Sequence, residues 1–341
     1  MTNSRRQATL SDIAWDVGVS TATVSRVLAN APGHRAGKDT RRAILEVAER
    51  LGYQPNVAAR ALSTGQAPLI GIVMPLLAAE QFPAIIAGVE EEAVASGYQT
   101  VVISGGYPNQ SSQVTAIQAI QTHHVSGVIV CPVDAEEDEA LRTEAEGLPP
   151  MVLVERPIPH PSAPTVAADN RDGGWQCGQW LGTRGCDRAL FVHSSPQHFP
   201  SVWTQRLAGM TEALTATACE HRNLFLDDAS SVSEYFRWLF QAERPGMCLA
   251  TFFWLCRLLR QVSACDLDLP ASLLLCGFDR AVFTLDDVAA MTALGRLDQP
   301  PHYVHYSGQE IGRQAARLLL QRLVSGAWLQ QTIVVPVGVT D

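Results

Sequence analysis

The chain has 341 residues, too many for one ordinary hydrophobic core, and a prior of roughly 150 residues per domain gives two or three units. With 47% hydrophobic and 17% charged residues it is not a disordered chain, and no apolar run approaches the length that spans a bilayer. The net charge of −9 argues against nucleic acid only if it is spread evenly: residues 1–66 hold nine Lys and Arg against five Asp and Glu, a net of +4, which leaves −13 for the remainder. A basic head on an acidic body concentrates phosphate attraction in one place.

Met1 to Arg6 is polar and basic and has no signal-like apolar segment, so a cytoplasmic protein is expected. Thr9 then caps a first helix, with Asp12 three residues on and Leu10, Ile13, Ala14 and Val17 as its apolar stripe. Gly18 ends it. After the single step Gly18-Val19, Ser20 caps a second helix whose Val24, Val27 and Leu28 recur at helical spacing while Thr21, Ala22, Ser25 and Arg26 face away. Two short helices joined by a tight Gly-containing turn form a helix-turn-helix, and short polar residues early in the second helix suit a DNA major groove. A third helix is expected over about Lys38 to Leu51, with Gly37 as a weak cap and Gly52 at its end.

These residues resemble the lactose-repressor/galactose-repressor family of transcription regulators. The matching segments are Asp12-Ile13-Ala14, Gly18-Val19-Ser20, Thr23-Val24-Ser25-Arg26-Val27, Thr40-Arg41, Leu51-Gly52-Tyr53, Pro55-Asn56, Ala59-Arg60-Ala61-Leu62 and Gly71-Ile72-Val73. Ala36-Gly37 departs from the family's usual Val-Ser. The resemblance implies DNA contacts from Thr9, Ser20, Thr21, Ala22, Thr23, Ser25, Arg26 and Asn30, and from Asn56, Ala59, Arg60 and Leu62 in a hinge segment. Arg26 alone would be read as a solvated charge; its place after Thr-Val-Ser favours a groove contact. Leu62 would otherwise be a buried helix residue, but in the family its equivalent wedges into the minor groove at the operator centre. The implied partners are a pseudo-palindromic double-stranded operator and a second copy of the chain, because no apolar heptad tail for tetramers follows. No membrane is implied.

Residues 1–54 are thus the head, 55–68 a hinge helix and linker, and 69–341 a body. From Leu69 short apolar runs alternate with amphipathic stretches, the pattern of a parallel α/β fold. Strands are predicted at Leu69–Met74, Thr100–Ser104, Val128–Cys131, Met151–Val154, Ala189–His193, Leu224–Leu226, Met247–Thr251 and Leu273–Cys276. Helices are predicted through Phe82, Ile85, Ile86, Val89 and Ala93 and near 173–184, 204–217, 231–242 and 308–324. The fold class is an all-α helix-turn-helix head plus a two-lobed α/β body like periplasmic binding proteins. Lobe 1 is expected at about 69–168 and 298–307 and lobe 2 at about 169–297, with 308–341 crossing between them.

The resemblance continues more loosely through Asp169-Asn170, Arg206-Leu207-Ala208-Gly209, Gly277-Phe278-Asp279 and Asp298-Gln299-Pro300. It implies an effector cleft holding Gln81, Phe82, Glu155, Arg156, Arg206, Phe252, Asp279 and Gln299. Carboxylates with Arg suit hydroxyl-rich ligands. The run Thr251-Phe252-Phe253-Trp254 stands where many sugar-responsive members carry Asn-Asp, and it resembles the fructose and sucrose branch; Phe253 there is also a core candidate. Arg156 and Arg206 in so acidic a body point to a sugar phosphate, with a neutral sugar as the alternative if Arg156 only pairs with Glu155 or Asp279 as a structural ion pair.

The eight Cys show no C-x-x-C spacing and sit mostly in apolar runs, which reads as buried free thiols. His123-His124 and Glu136-Glu137-Asp138-Glu139 lack companions at metal-ligand spacing, so no metal and no cofactor is expected. Ser194-Ser195 and His198 form no nucleophile elbow, which argues against an enzyme. A transport-type sugar-binding protein would account for the body, but not for Thr9–Leu62.

Overall fold

A computed structural model describes residues 8–28, 37–51, 53, 67–75, 81–104, 111–132, 149–157, 163–193, 201–279, 292–328 and 331–340. The chain divides into two compact units, Met1–Gly65 and Gln66–Asp341. No helix among the described residues is long and apolar enough to cross a membrane.

The first unit contains α1 (Leu10–Val17), α2 (Thr21–Leu28) and α3 (Lys38–Arg50). Thr9 and Asp12 form the capping box: the Asp12 amide donates to Thr9 Oγ1 at 3.3 Å and the Thr9 amide donates to Asp12 Oδ2 at 2.8 Å. Gly18 closes α1 in a left-handed conformation, φ 74°, which an L side chain adopts only with strain. The three helices meet on Ile13, Ala14, Val24, Val27, Ile44 and Ala48, with Tyr53 packed against them. Gly37 supplies no side-chain cap to α3, as its lack of a hydroxyl requires, and Gly52 lies outside the described residues.

The second unit holds two six-stranded sheets of matching winding. The first has the order β11-β5-β4-β3-β1-β2, built from β1 (Ala67–Met74), β2 (Gln99–Ser104), β3 (Val125–Val130), β4 (Met151–Val154), β5 (Thr165–Ala168) and β11 (Thr332–Val335), all parallel. The second has the order β12-β10-β9-β8-β6-β7, from β6 (Arg188–His193), β7 (Glu220–Phe225), β8 (Pro245–Leu249), β9 (Leu274–Phe278), β10 (His302–Tyr306) and β12 (Val337–Thr340); only β12 is antiparallel to its neighbour. Alternation along each strand feeds two cores per sheet. In β1, Ile70, Ile72 and Met74 pack beneath α4 (Gln81–Ala95) and α10 (Gly308–Ser325), while Val73 faces α5 (Ser111–Gln121). In the second sheet, Cys248 and Cys276 face α6 (Asn170–Thr183) and α7 (Ser201–Thr215), and Met247 and Leu275 face α8 (Ala229–Leu239) and α9 (Leu255–Ala264).

The expected assignment of 298–307 to lobe 1 is corrected: His302–Tyr306 pairs parallel to β9 in the second sheet, where Val304 is fully buried. Its short stretch of His and Tyr has no apolar run to announce a strand. The chain crosses between sheets after Ala168, after Tyr306 and again at Pro336, so α10 and β11 belong to lobe 1 and β12 to lobe 2. Helices α6 and α7 touch backbone to backbone. A Cβ at Gly174 would lie 1.9 Å from the Arg206 carbonyl oxygen, and one at Gly209 would lie 1.9 Å from that of Arg171, so only glycine permits this crossing.

Candidate functional site

Two surfaces carry chemistry. On the head, Ser20 caps α2: the Thr23 amide donates to its Oγ at 3.1 Å, and the two hydroxyls are 2.9 Å apart. Ser20, Thr21, Ala22, Ser25 and Arg26 are exposed on one side of α2, Thr23 is half-buried, and Val24 and Val27 fill the core on the other. Thr9 is exposed but its side chain is engaged in the cap of α1. The remaining sequence candidates Asn30, Asn56, Ala59, Arg60 and Leu62 lie outside the described residues.

In the body, a cleft of about 120 Å³ opens at the carboxyl ends of the strands, where parallel α/β sheets place their ligands. Pro75 follows β1, Cys131 follows β3, Glu155 follows β4, Thr251 follows β8 and Asp279 follows β9, and all line it. Glu155 and Asp279 hold corresponding places in the two sheets, and both adopt left-handed backbone, φ 67° and 63°. Such conformations are uncommon outside glycine and cost energy that the surrounding structure must offset, which is why they gather at functional sites. At Glu155 the strand end folds into a tight turn, with the Arg156 amide donating to the Val154 carbonyl at 2.7 Å.

The charges in the cleft are unequal in availability. Arg206 is buried on α7; its Nε donates to Asn170 Oδ1 at 2.7 Å, its Nη1 donates to the Ala250 carbonyl at 2.5 Å, and its guanidinium lies 3.8 Å over the Phe278 ring. Those bonds use two of its five N–H donors. Asp279 accepts from the Thr251 hydroxyl at 2.9 Å. Glu155 accepts from the Tyr306 hydroxyl at 2.9 Å through Oε2, while its buried Oε1 has no hydrogen-bond partner among the described residues. Burial, and then the neighbouring Asp279, push the Glu155 carboxyl up to about 7. The buried Trp254 Nε1 likewise has no hydrogen-bond partner among the described residues. An orphan acceptor from lobe 1 and an orphan donor from lobe 2, both on residues that line the cleft, suit a ligand that offers both donors and acceptors, as hydroxyl groups do.

Six of the expected cleft residues, Gln81, Phe82, Glu155, Arg156, Arg206 and Asp279, do line it. Two do not. Phe252 is 1% exposed, with its ring 4.6 Å from that of Tyr303 in the lobe 2 core, because the 3-10 turn Phe252–Trp254 rotates successive side chains apart. Phe253, the core candidate, is the one that lines the cleft, together with Trp254. Gln299 instead accepts from Arg184 Nε at 3.0 Å near the carboxyl end of α6. Sequence reasoning also missed Trp203, which shares a helical face with Arg206 at i, i+3, a spacing that was there to be used.

The chain thus combines a capped helix-turn-helix with an α/β body of two wound sheets around a cleft, the architecture of a regulator with a separate ligand-binding body. Comparison with known proteins agrees part by part. Residues 9–56 match the model described as bacterial regulatory proteins, lacI family, and residues 70–235 match a periplasmic binding protein domain. The lacI family model thus covers the head, and the periplasmic-binding-protein model covers most of lobe 1 and the first part of lobe 2. The HTH-type transcriptional regulator GalR of Escherichia coli (strain K12) is 32% identical over 207 residues, covering 61% of this chain and 59% of that protein. This match spans less than two thirds of that relative's length. The HTH-type transcriptional repressor CytR of the same strain is 27% identical over 323 residues, covering 93% of this chain and 90% of that protein. Among solved structures, the lac repressor dimer bound to operator and the anti-inducer ONPF superposes with a TM-score of 0.74 at 22% identity, covering 98% of each chain, a likeness of fold.

Proposed function

We propose that the chain is a dimeric cytoplasmic transcription regulator, a repressor rather than an enzyme, that binds a pseudo-palindromic operator and is controlled by a sugar held in the cleft. The observation that carries this reading is the exposed polar face of α2, Ser20 to Arg26, on a head that matches the family model. A transport-type binding protein has no use for it. Arg26 and the small residues beside it read base edges, and Leu62 serves as the minor-groove wedge of the hinge. Sugar binding changes the lobe angle, and operator affinity shifts by the difference in sugar affinity between the two states.

The cleft supports a hydroxyl-rich sugar, with Glu155 and Asp279 accepting from hydroxyls and Trp203 or Phe253 available to stack on the sugar face. The sugar-phosphate reading rests on Arg156 and Arg206; Arg206 already bonds Asn170 and Ala250, and two carboxylates, Glu155 and Asp279, line the same cleft and oppose an anion. A neutral sugar is therefore favoured over a phosphorylated one from the fructose and sucrose branch. The test is selection of duplex DNA from a random pool by the full chain, followed by titration with free hexoses and hexose phosphates. Enrichment of a two-fold-symmetric site whose affinity a neutral sugar alters is the expected result. No enriched site rejects the regulator reading, and a response to phosphates alone rejects the neutral ligand.

A further inference from the structure

Away from the cleft, three thiols converge inside lobe 2. Cys177 projects from α6, Cys248 from β8 and Cys276 from β9; all are fully buried, and their Sγ atoms lie within 4.8 Å of one another. The arrangement follows from register. Cys248 and Cys276 are direct partners across parallel strands and so share one face of the sheet, the face that α6 covers. Nothing in their sequence spacing announces this, because the sheet order and not the local chain brings them together.

A buried Cys usually behaves as a small hydrophobe, and any one of the three is explained that way. Three sulfurs facing one another are also a donor set. Metal–sulfur bonds of about 2.3 Å in a trigonal plane hold sulfurs about 4.0 Å apart, so modest side-chain rotation suffices to close this triangle. Among the described residues no His or carboxylate ligand atom joins the three sulfurs at the same range. Structural zinc takes four ligands, whereas an all-sulfur, water-free set suits the softest ions.

We propose that Cys177, Cys248 and Cys276 form a trigonal thiolate site for Cu(I). Binding breaks three S–H bonds and forms three S–Cu bonds; the three protons leave to the buffer and copper stays in the +1 state.

The test uses the full reduced chain under anaerobic conditions, titrated with Cu(I) buffered by bathocuproine disulfonate. One copper per chain should be withdrawn from the chelator, with near-ultraviolet thiolate-to-copper absorbance. Cys248→Ser and Cys276→Ser should each weaken binding by at least about 100-fold, the upper end of what losing only an outer-shell partner costs. A Cys186→Ser, Cys219→Ser double variant, which removes the separate thiol pair 3.5 Å apart, should bind copper as before. No withdrawal of copper, binding indifferent to Cys248→Ser or Cys276→Ser, or tighter binding of Zn²⁺ than Cu(I) overturns the proposal. Should the single variants misfold, X-ray absorption on the copper-loaded wild-type chain decides it: one shell of three sulfurs supports the site, and two sulfurs or any nitrogen or oxygen neighbour rejects it.

Discussion

On the head, every outward-facing candidate of α2 comes from one run, Ser20 to Arg26, and a core of six buried side chains holds that run in place. In the body, Gln81, Glu155, Arg206, Thr251 and Asp279 come from separate strand ends and helices, each anchored in one of four larger cores. A surface made from one helix inherits the stability of that helix's small core and fails as a unit. A surface assembled from many elements is hard to abolish by packing changes at one point, but it concentrates charges and strained backbone from both sheets, so it is sensitive to protonation.

The largest effect should therefore come from the head's core. Ile44→Ala empties a fully buried site and should cost about 2–5 kcal/mol, comparable with the whole stability of so small a core. Operator binding should disappear while sugar affinity, read by calorimetry, is unchanged; a parallel loss of sugar affinity would erase the contrast between the two surfaces.

The cleft should instead answer to pH. Glu155 is raised from 4.5 to about 7, so between those values the folded chain holds a proton that the unfolded chain has released. Its contribution is fully present below about 4.5 and is lost as pH rises through about 7, a decline on the order of 3 kcal/mol. Glu155→Gln should flatten that decline in urea unfolding compared at pH 5 and pH 8. Equal slopes in both proteins would mean that the carboxyl titrates normally.

Arg26→Ala tests whether the head's face reads bases: operator affinity should fall by about 1–3 kcal/mol with discrimination relaxed at one base pair per half-site. Equal losses on operator and random DNA would make Arg26 a phosphate contact. The smallest effect is Gly37→Ser, which gives α3 the hydroxyl cap it lacks and should stabilise the head by a few tenths of a kcal/mol, seen as a small rise in its melting temperature.

The same contrast governs what could be read from the residues alone. Thr9, Gly18 and Ser20 act on atoms a few positions away, so capping rules located α1 and α2 closely. Met151–Val154 stood out because a strand buried on both faces is apolar throughout. His302–Tyr306 was misassigned because its partner β9 and the crossing into α10 are decided by tertiary pairing. Within the cleft, Glu155 and Asp279 were found through family motifs, while the exchange of Phe252 for Phe253 hinged on one step of a 3-10 turn that periodicity cannot resolve. The thiol triangle was invisible for the same reason: register across strands, unlike spacing along them, is not written locally.

The crossing at Pro336 bears on synthesis. The last strand of lobe 1 is β11 and the last of lobe 2 is β12, so both sheets wait for residues at the far end of the chain. As the polypeptide leaves the ribosome, the head has all its helices early, whereas each lobe must hold an open sheet edge, at β5 and at β10, until the final residues arrive. Neither sheet is complete before residues 332–340 emerge, and the unpaired edges in that interval are where premature association between nascent chains would begin.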